Sequence, residues 1–192
     1  MVNRYLALDH RIRLDRVLAE IKRINPKKIV DFGCGETPIQ DLDLGLYVGI
    51  DNNRNAINFD KFDRPGFHYI ESNYEKPLDI GERFDLAIWS EGPEHTLKHD
   101  AVFNNIRRLL EKDGFLILTC PNQRSYEIIS EEAEHKCKFG FESLKRLVED
   151  NGFKILEISE VNCCIPKHLR GYQWLFCLAI VGEYDPRYKW GV

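Results

Sequence analysis

What this sequence lacks narrows it first. Across 192 residues no apolar run approaches the ~20 residues that span a bilayer, and Met1 to Tyr5 hold no apolar core of a signal peptide. Basic residues do not outnumber acidic ones. The 27 Lys and Arg stand against 31 Asp and Glu, a formal charge of −4, so no global positive field gathers nucleic acid. The six cysteines, at 34, 120, 137, 163, 164 and 177, include no Cys-x-x-Cys pair. That scatter argues against a disulfide framework or zinc site, and for reduced, mostly buried thiols in a cytoplasmic protein. No linker, low-complexity tract or internal repeat interrupts the chain. Secreted, membrane, fibrous and repeat classes are thereby set aside. With 43% hydrophobic and 30% charged residues, what remains is a folded globular chain of single-domain length.

The pattern along it alternates. Leu14, Val17, Leu18, Ile21 and Ile24 recur at three- and four-residue intervals and predict an amphipathic helix that stops near Asn25-Pro26. Short strands are expected at 28–32, 46–51, 67–70 and 84–89. The last, Phe84-Asp85-Leu86-Ala87-Ile88-Trp89, is almost continuously apolar, as a strand covered on both faces should be. A helix is expected from Asp100 to Lys112, ended by Asp113-Gly114, then a strand at 115–120 and a helix at 141–150 stopped by Asn151-Gly152. Two strands, about 153–161 and 174–182, complete the pattern. Strands separated by crossovers imply an α/β fold with a doubly wound, mostly parallel sheet. The expected organisation is one domain over 1–192: an N-terminal helix (1–25), a core (27–182) and a tail (183–192). In the tail, Tyr184, Tyr188 and Trp190 are candidates for packing on the sheet or for a homodimer contact.

The segment richest in chemical information is Val30-Asp31-Phe32-Gly33-Cys34-Gly35. Glycines directly after a strand let the backbone turn sharply and approach a ligand closely, because no Cβ intervenes. Asp51 ends the next strand, where an acidic side chain accepts both hydroxyl hydrogens of a ribose. A dinucleotide fingerprint would need a glycine at position 38, which is Pro38, and a full helix whose N-terminus holds a pyrophosphate. The stretch between Gly35 and Tyr47 includes Pro38 and Gly45 and has room for a turn or two at most. A nucleoside cofactor without phosphates fits better.

Taken with Val48-Gly49-Ile50-Asp51, Phe84 to Glu91, Glu94-His95, Leu109 to Leu118, Cys120-Pro121-Asn122 and Phe141 through Phe153, that segment resembles the class I S-adenosylmethionine-dependent methyltransferases. The resemblance spans about 27–182. It implies S-adenosylmethionine as cofactor and a Rossmann-like, seven-stranded sheet whose last strand is antiparallel, so the final two strands should form a terminal hairpin. It also implies that Asp31, Gly33, Cys34 and Gly35 surround the amino-acid part of the cofactor. Asp51 then binds the ribose with Asn52 beside the adenine, Ser72 and Asn73 reach the base, and Ser90 borders the site. Three departures stand out: Ser72 where the family often has aspartate, Thr37 where many members have a third glycine, and the shortened first crossover. The altered adenine region at Ser72 and the shortened crossover would suit a catalytically silent S-adenosylmethionine-binding subunit.

The acceptor is expected at the carboxyl ends of the parallel strands, in 90–99, 121–137 and 162–173. There His95 is the candidate general base. Two readings of its surroundings stay open. In one, Pro93 starts a helix and Glu94-His95 caps and solvates it. In the other, Glu91, Glu94, His95 and His135 bind a divalent metal. That spacing is similar to the metal-dependent small-RNA 3′-terminal 2′-O-methyltransferases, where a metal grips the terminal ribose hydroxyls. The charge balance favours a small-molecule acceptor and no extended nucleic-acid surface. A local basic stretch, Lys167-His168-Leu169-Arg170, would attract an anionic group on the acceptor.

Overall fold

The computed structural model describes residues 2–35, 42, 44–57, 59–122, 135–162 and 173–182. The basic stretch at 167–170, the Cys163-Cys164 pair, Thr37 and the aromatic tail lie outside the described residues. Helix α1 (Val2–Ile24) leads into β1 (Lys28–Phe32), β2 (Leu46–Asp51), β3 (Phe67–Glu71) and β4 (Phe84–Ser90). Then come α2 (His99–Leu109), β5 (Leu110–Pro121), α3 (Phe141–Asp150), β6 (Phe153–Asn162) and β7 (Gln173–Val181). The strands form one seven-stranded sheet in the order β3-β2-β1-β4-β5-β7-β6. Strands β1 to β5 are parallel to one another, and β7 runs antiparallel between β5 and β6. The expected mostly parallel sheet with its terminal hairpin is present.

Alternation of side chains along each strand divides the interior into two layers. Val30, Phe32, Val48, Ile50, Ala87, Trp89, Leu116 and Leu118 face one side, where Val102, Phe103 and Ile106 of α2 and Leu144 and Val148 of α3 cover them. Ile29, Tyr47, Leu86, Ile88, Ile117, Phe176 and Leu178 face the other, against Val17 and Ile21 of α1. Every one of these residues is buried.

One boundary differs from the sequence pattern. The helix expected to reach Lys112 ends at Leu109, because Leu110 already pairs with Phe84. The next pairing is Leu86 with Phe115, so Glu111 to Gly114 form an irregularity within the ladder. Pairing of Leu110, buried at 1% exposure, outweighs the helical tendency of Glu111 and Lys112.

Two side-chain networks fix the elements around the site. Buried Asn105 of α2 accepts from the Leu78 N–H (3.1 Å) and donates to the carbonyls of Tyr74 (2.9 Å) and Lys76 (2.7 Å), holding the loop after β3. On α1, Arg16 grips both oxygens of Glu157 on β6 (2.7 and 2.8 Å), donates to Glu20 (2.8 Å), and lies over the Phe176 ring.

These ion pairs set a pH dependence. The hydrogen bond from Arg16 is the largest influence on Glu157 and holds its carboxyl below the ordinary value of 4.5. For Glu20, burial is the largest single effect and acts upward, but the hydrogen bonds and charges of Arg23 and Arg16 together outweigh it and leave the group below 4.5. A depressed folded pKa contributes stability above the unfolded value, which is lost as pH falls through the folded one. The stability gap between the native chain and Arg16→Ala should therefore be full above about pH 4.5 and narrow progressively below it. Urea unfolding at a series of pH values measures that gap.

Candidate functional site

The carboxyl ends of β1, β2 and β4 open on one edge, and the glycine turn crosses it. Gly33 (φ 72°) and Gly35 (φ 31°) both occupy the left-handed region, which costs side-chain-bearing residues roughly 1 kcal/mol or more. The turn is sewn to β2 by the N–H groups of Gly33 and Cys34, which donate to the Ile50 carbonyl at 2.8 and 3.2 Å. Cys34 points down and is fully buried. A Cβ at Gly49 would stand 2.8 Å from the Cys34 Sγ and 2.9 Å from Phe62. The bare backbone of β2 thus admits the Cys34 side chain and lets the turn lie low.

Asp51, half-buried at the end of β2, ties this turn to the next loop. Its Oδ2 accepts from the Gly35 N–H at 3.3 Å and its Oδ1 from the Asn53 N–H at 2.8 Å. Its carbonyl accepts from the Ser72 N–H and the Tyr69 hydroxyl, both at 3.0 Å. Asn52 is exposed, while Ser72 and Asn73 are half-buried. The Asn73 Oδ1 accepts from the Glu75 N–H (2.8 Å) in an Asx turn, which leaves its NH₂ group as the donor. Tyr74 flanks the Gly33 turn; burial pushes its phenol up to about 12, so it stays protonated at neutral pH.

Asp31 and Ser90 are brought to the same strand ends, but their side chains point to the α1 side of the sheet. Asp31 is fully buried and accepts from the Tyr47 hydroxyl at 2.8 Å. Burial, and next the Asp31 charge, raise the Tyr47 pKa well above 10. The Ser90 hydroxyl lies 2.8 Å from that of Thr119 and accepts from Arg13.

Beyond β4 the expected helix start at Pro93 is one 3-10 turn, Pro93–His95. Glu94 does not solvate it, since that residue is 0% exposed. Its carbonyl accepts from the N–H groups of Lys136 (2.7 Å) and Cys137 (3.1 Å), which brings His135 against His95 with ring centroids 4.8 Å apart. Ligand atoms of Glu94, His95 and His135 all lie within 4.8 Å of one another. Glu91 stands apart, with its carboxylate engaged by Thr119 (3.1 Å) and Arg13 (3.6 Å). The His99 Nε2–H donates to the Pro93 carbonyl (2.8 Å), and the ring packs on Trp89 and Phe139. Of the described cysteines, 34, 120 and 177 are buried and 137 is half-buried.

Arg13 and Thr119 escape a reading of the sequence for motifs. Arg13 looks like one more surface charge on α1. Its spacing was the available signal, since Arg13, Val17, Glu20, Ile21 and Ile24 fall on one helical stripe.

An open parallel sheet with a glycine turn after its first strand and an acidic residue after its second is the frame of a nucleoside-dependent α/β enzyme. The family model described as a methyltransferase domain matches residues 4–158, and the chain belongs to that family. By that family it is a methyltransferase, with the α/β fold of the class I enzymes. Among solved structures, it is similar to the N-methyltransferase NodS of Bradyrhizobium japonicum WM9, with 13% identity, TM-score 0.71, and coverage of 91% of this chain and 97% of that one. It is similar to the methyltransferase domain of the bacterial CtHen1, with 18% identity, TM-score 0.68, and coverage of 88% and 98%. The magnesium protoporphyrin IX methyltransferase of Synechocystis PCC 6803 with bound S-adenosylhomocysteine gives 15% identity, TM-score 0.71, and coverage of 94% and 86%. No curated protein sequence matches the chain.

The close approach at Gly49 is directly testable. Gly49→Ala forces Cys34 and Phe62 apart and should cost about 1–3 kcal/mol, seen as a lower urea midpoint. Lifting the turn should also weaken S-adenosylhomocysteine binding in calorimetry.

Proposed function

We propose that the protein transfers the methyl group of S-adenosylmethionine to a small-molecule acceptor held beyond the ends of β4 and β5. The observation that carries this reading is the convergence of the Gly33–Gly35 turn on the Asp51 carboxylate. In this proposal Asp51 receives the ribose hydroxyls and Asn52 lies beside the adenine. Ser72 and the Asn73 amide serve the base. Asp31, Gly33, Cys34 and Gly35 build the wall for the amino-acid part, with Asp31 and Cys34 buttressing the turn from beneath. Ser90 contributes from the far side, its hydroxyl being committed to Arg13 and Thr119.

When bound, the sulfonium supplies an electrophilic methyl group. The protein then needs to orient the acceptor in line and keep water out. His95 takes up a proton from the acceptor where one must leave. The Glu94 carboxylate lies 3.9 Å from its Nε2. A net charge of −4 supports an acceptor that is small.

A second reading is favoured by the grouping of Glu94, His95 and His135 within 4.8 Å. One carboxylate and two imidazoles suit manganese or a related divalent ion, which would hold vicinal hydroxyls of a terminal ribose, making the acceptor an RNA end. In this reading Glu91 acts from outside the metal's immediate ligands.

Two measurements separate these possibilities. Asp51→Ala should weaken S-adenosylmethionine binding by roughly 10- to 100-fold, the loss of ~1.5–3 kcal/mol of charge-assisted hydrogen bonding. Unaltered binding heats would remove the ribose role. Turnover on a panel of small acceptors and RNA 3′ ends, with and without chelator, tests the acceptor. Small-molecule turnover that survives chelation supports the first reading, whereas RNA turnover abolished by chelation and restored by manganese establishes the second.

A further inference from the structure

The methyltransferase core offers its acceptor edge at the ends of β4 and β5, yet a residue from outside that core is buried there. Arg13, on α1, is 6% exposed. A guanidinium hidden from water has to be matched by acceptors of its own. It donates to the Ser90 hydroxyl at the end of β4 and to the Thr119 hydroxyl on β5 (3.4 Å). Its Nε lies 3.6 Å from the Glu91 carboxylate, and its plane lies over the Trp174 ring at 5.3 Å. The hydroxyl protons can then run one way. Ser90 donates to Thr119 (2.8 Å), and Thr119 donates to Glu91 (3.1 Å), so each bond strengthens the next.

Glu91 is the pivot. Its φ of 57° is one that side-chain-bearing residues rarely adopt, and its neighbours hold it there. Its N–H donates to the Thr119 carbonyl at 3.0 Å while its carboxylate meets Thr119 and Arg13. The chain leaves that pivot directly into the Pro93–His95 turn, closed by the His95 N–H on the Gly92 carbonyl (3.0 Å). That turn in turn holds 135–137 through the Glu94 carbonyl.

We propose that Arg13 is a positioning residue: through Ser90, Thr119 and Glu91 it sets the backbone that places His95 and His135 on the acceptor edge. The inference rests on assigning that edge to the acceptor, as above. Helix α1 is then part of the site as well as a cover for the sheet.

Three variants test it without needing the acceptor. Arg13→Gln removes the charge and the fork. Thr119→Val keeps Arg13 but cuts the relay with an isosteric side chain, and serves if Arg13→Gln does not fold. Arg16→Ala loosens α1 at its other anchor, on Glu157 and Phe176, without touching the relay. The readouts are the imidazole NMR signals of His95 and His135, amide exchange at Glu91, and calorimetric affinity for S-adenosylhomocysteine. Arg13→Gln and Thr119→Val should shift both imidazoles and speed Glu91 exchange at least ~10-fold. Arg16→Ala should leave the imidazoles in place. Unmoved imidazoles in folded Arg13→Gln or Thr119→Val would overturn the proposal, as would equal shifts in Arg16→Ala. Failure of the native chain to bind S-adenosylhomocysteine would strike the donor assignment separately, with the NMR comparison still deciding the role of Arg13.

Discussion

The structure depends on keeping both faces of a mostly parallel sheet away from water while leaving one end of its strands accessible. β1 and β4 lie in the middle of the sheet with strands on either side, so almost every side chain they carry is buried. The α2 and α3 layer meets this on one face with ordinary apolar packing. On the other face α1 does so while carrying charge inward. Arg13 and Glu20 sit on the same stripe as Val17 and Ile21, and both are buried. Desolvating such groups costs several kcal/mol each unless partners replace the water. The partners are specific: Ser90, Thr119 and Glu91 for Arg13, and Arg16 and Arg23 for Glu20. A sliding or rotated α1 would strand those charges, so this layer has one acceptable docking where a purely apolar helix would have several.

That requirement reaches the chemistry because the charged anchor lies at the functional end of the strands. Turns leaving a parallel sheet at that end have no ladder to hold them, so each is held individually. Gly33 and Cys34 hang from Ile50, Gly35 from Asp51, the loop after β3 from Asp51 and Asn105, and the turn after β4 from Thr119. Methyl transfer suits such an edge. In the function proposed above, the donor brings the reactive bond, and the protein contributes orientation, dryness and a place for a proton. Cys120 and Cys177 are raised by burial, the latter to about 12, and remain protonated and inert.

Much of this was readable along the chain. The strand cores at 28–32, 46–51 and 84–89, the helix at 141–150 and its Asn151-Gly152 stop depend on local alternation, helical period and turn chemistry, which neighbouring residues carry among themselves. The glycine turn and Asp51 were readable because close backbone approach and a strand-end carboxylate leave a fixed mark at fixed spacing. The end of α2 was not, because Leu110 answers to Phe84 across the sheet rather than to its own helix. Nor was the division of Glu91 from Glu94. Both are acidic, three residues apart, and as a string they form one motif.

The sequence by itself determined the fold class, the family, and the edge of the sheet where chemistry belongs, since periodicity and glycine spacing are local and survive without knowledge of packing. Only the tertiary structure decided which polar residues share that edge. It buried Glu94 beside His95 and His135, turned Glu91 toward α1, and brought Arg13 to the end of the strands. Those outcomes depend on contacts between residues tens of positions apart, and on the cost of burying each charge, which no single segment contains.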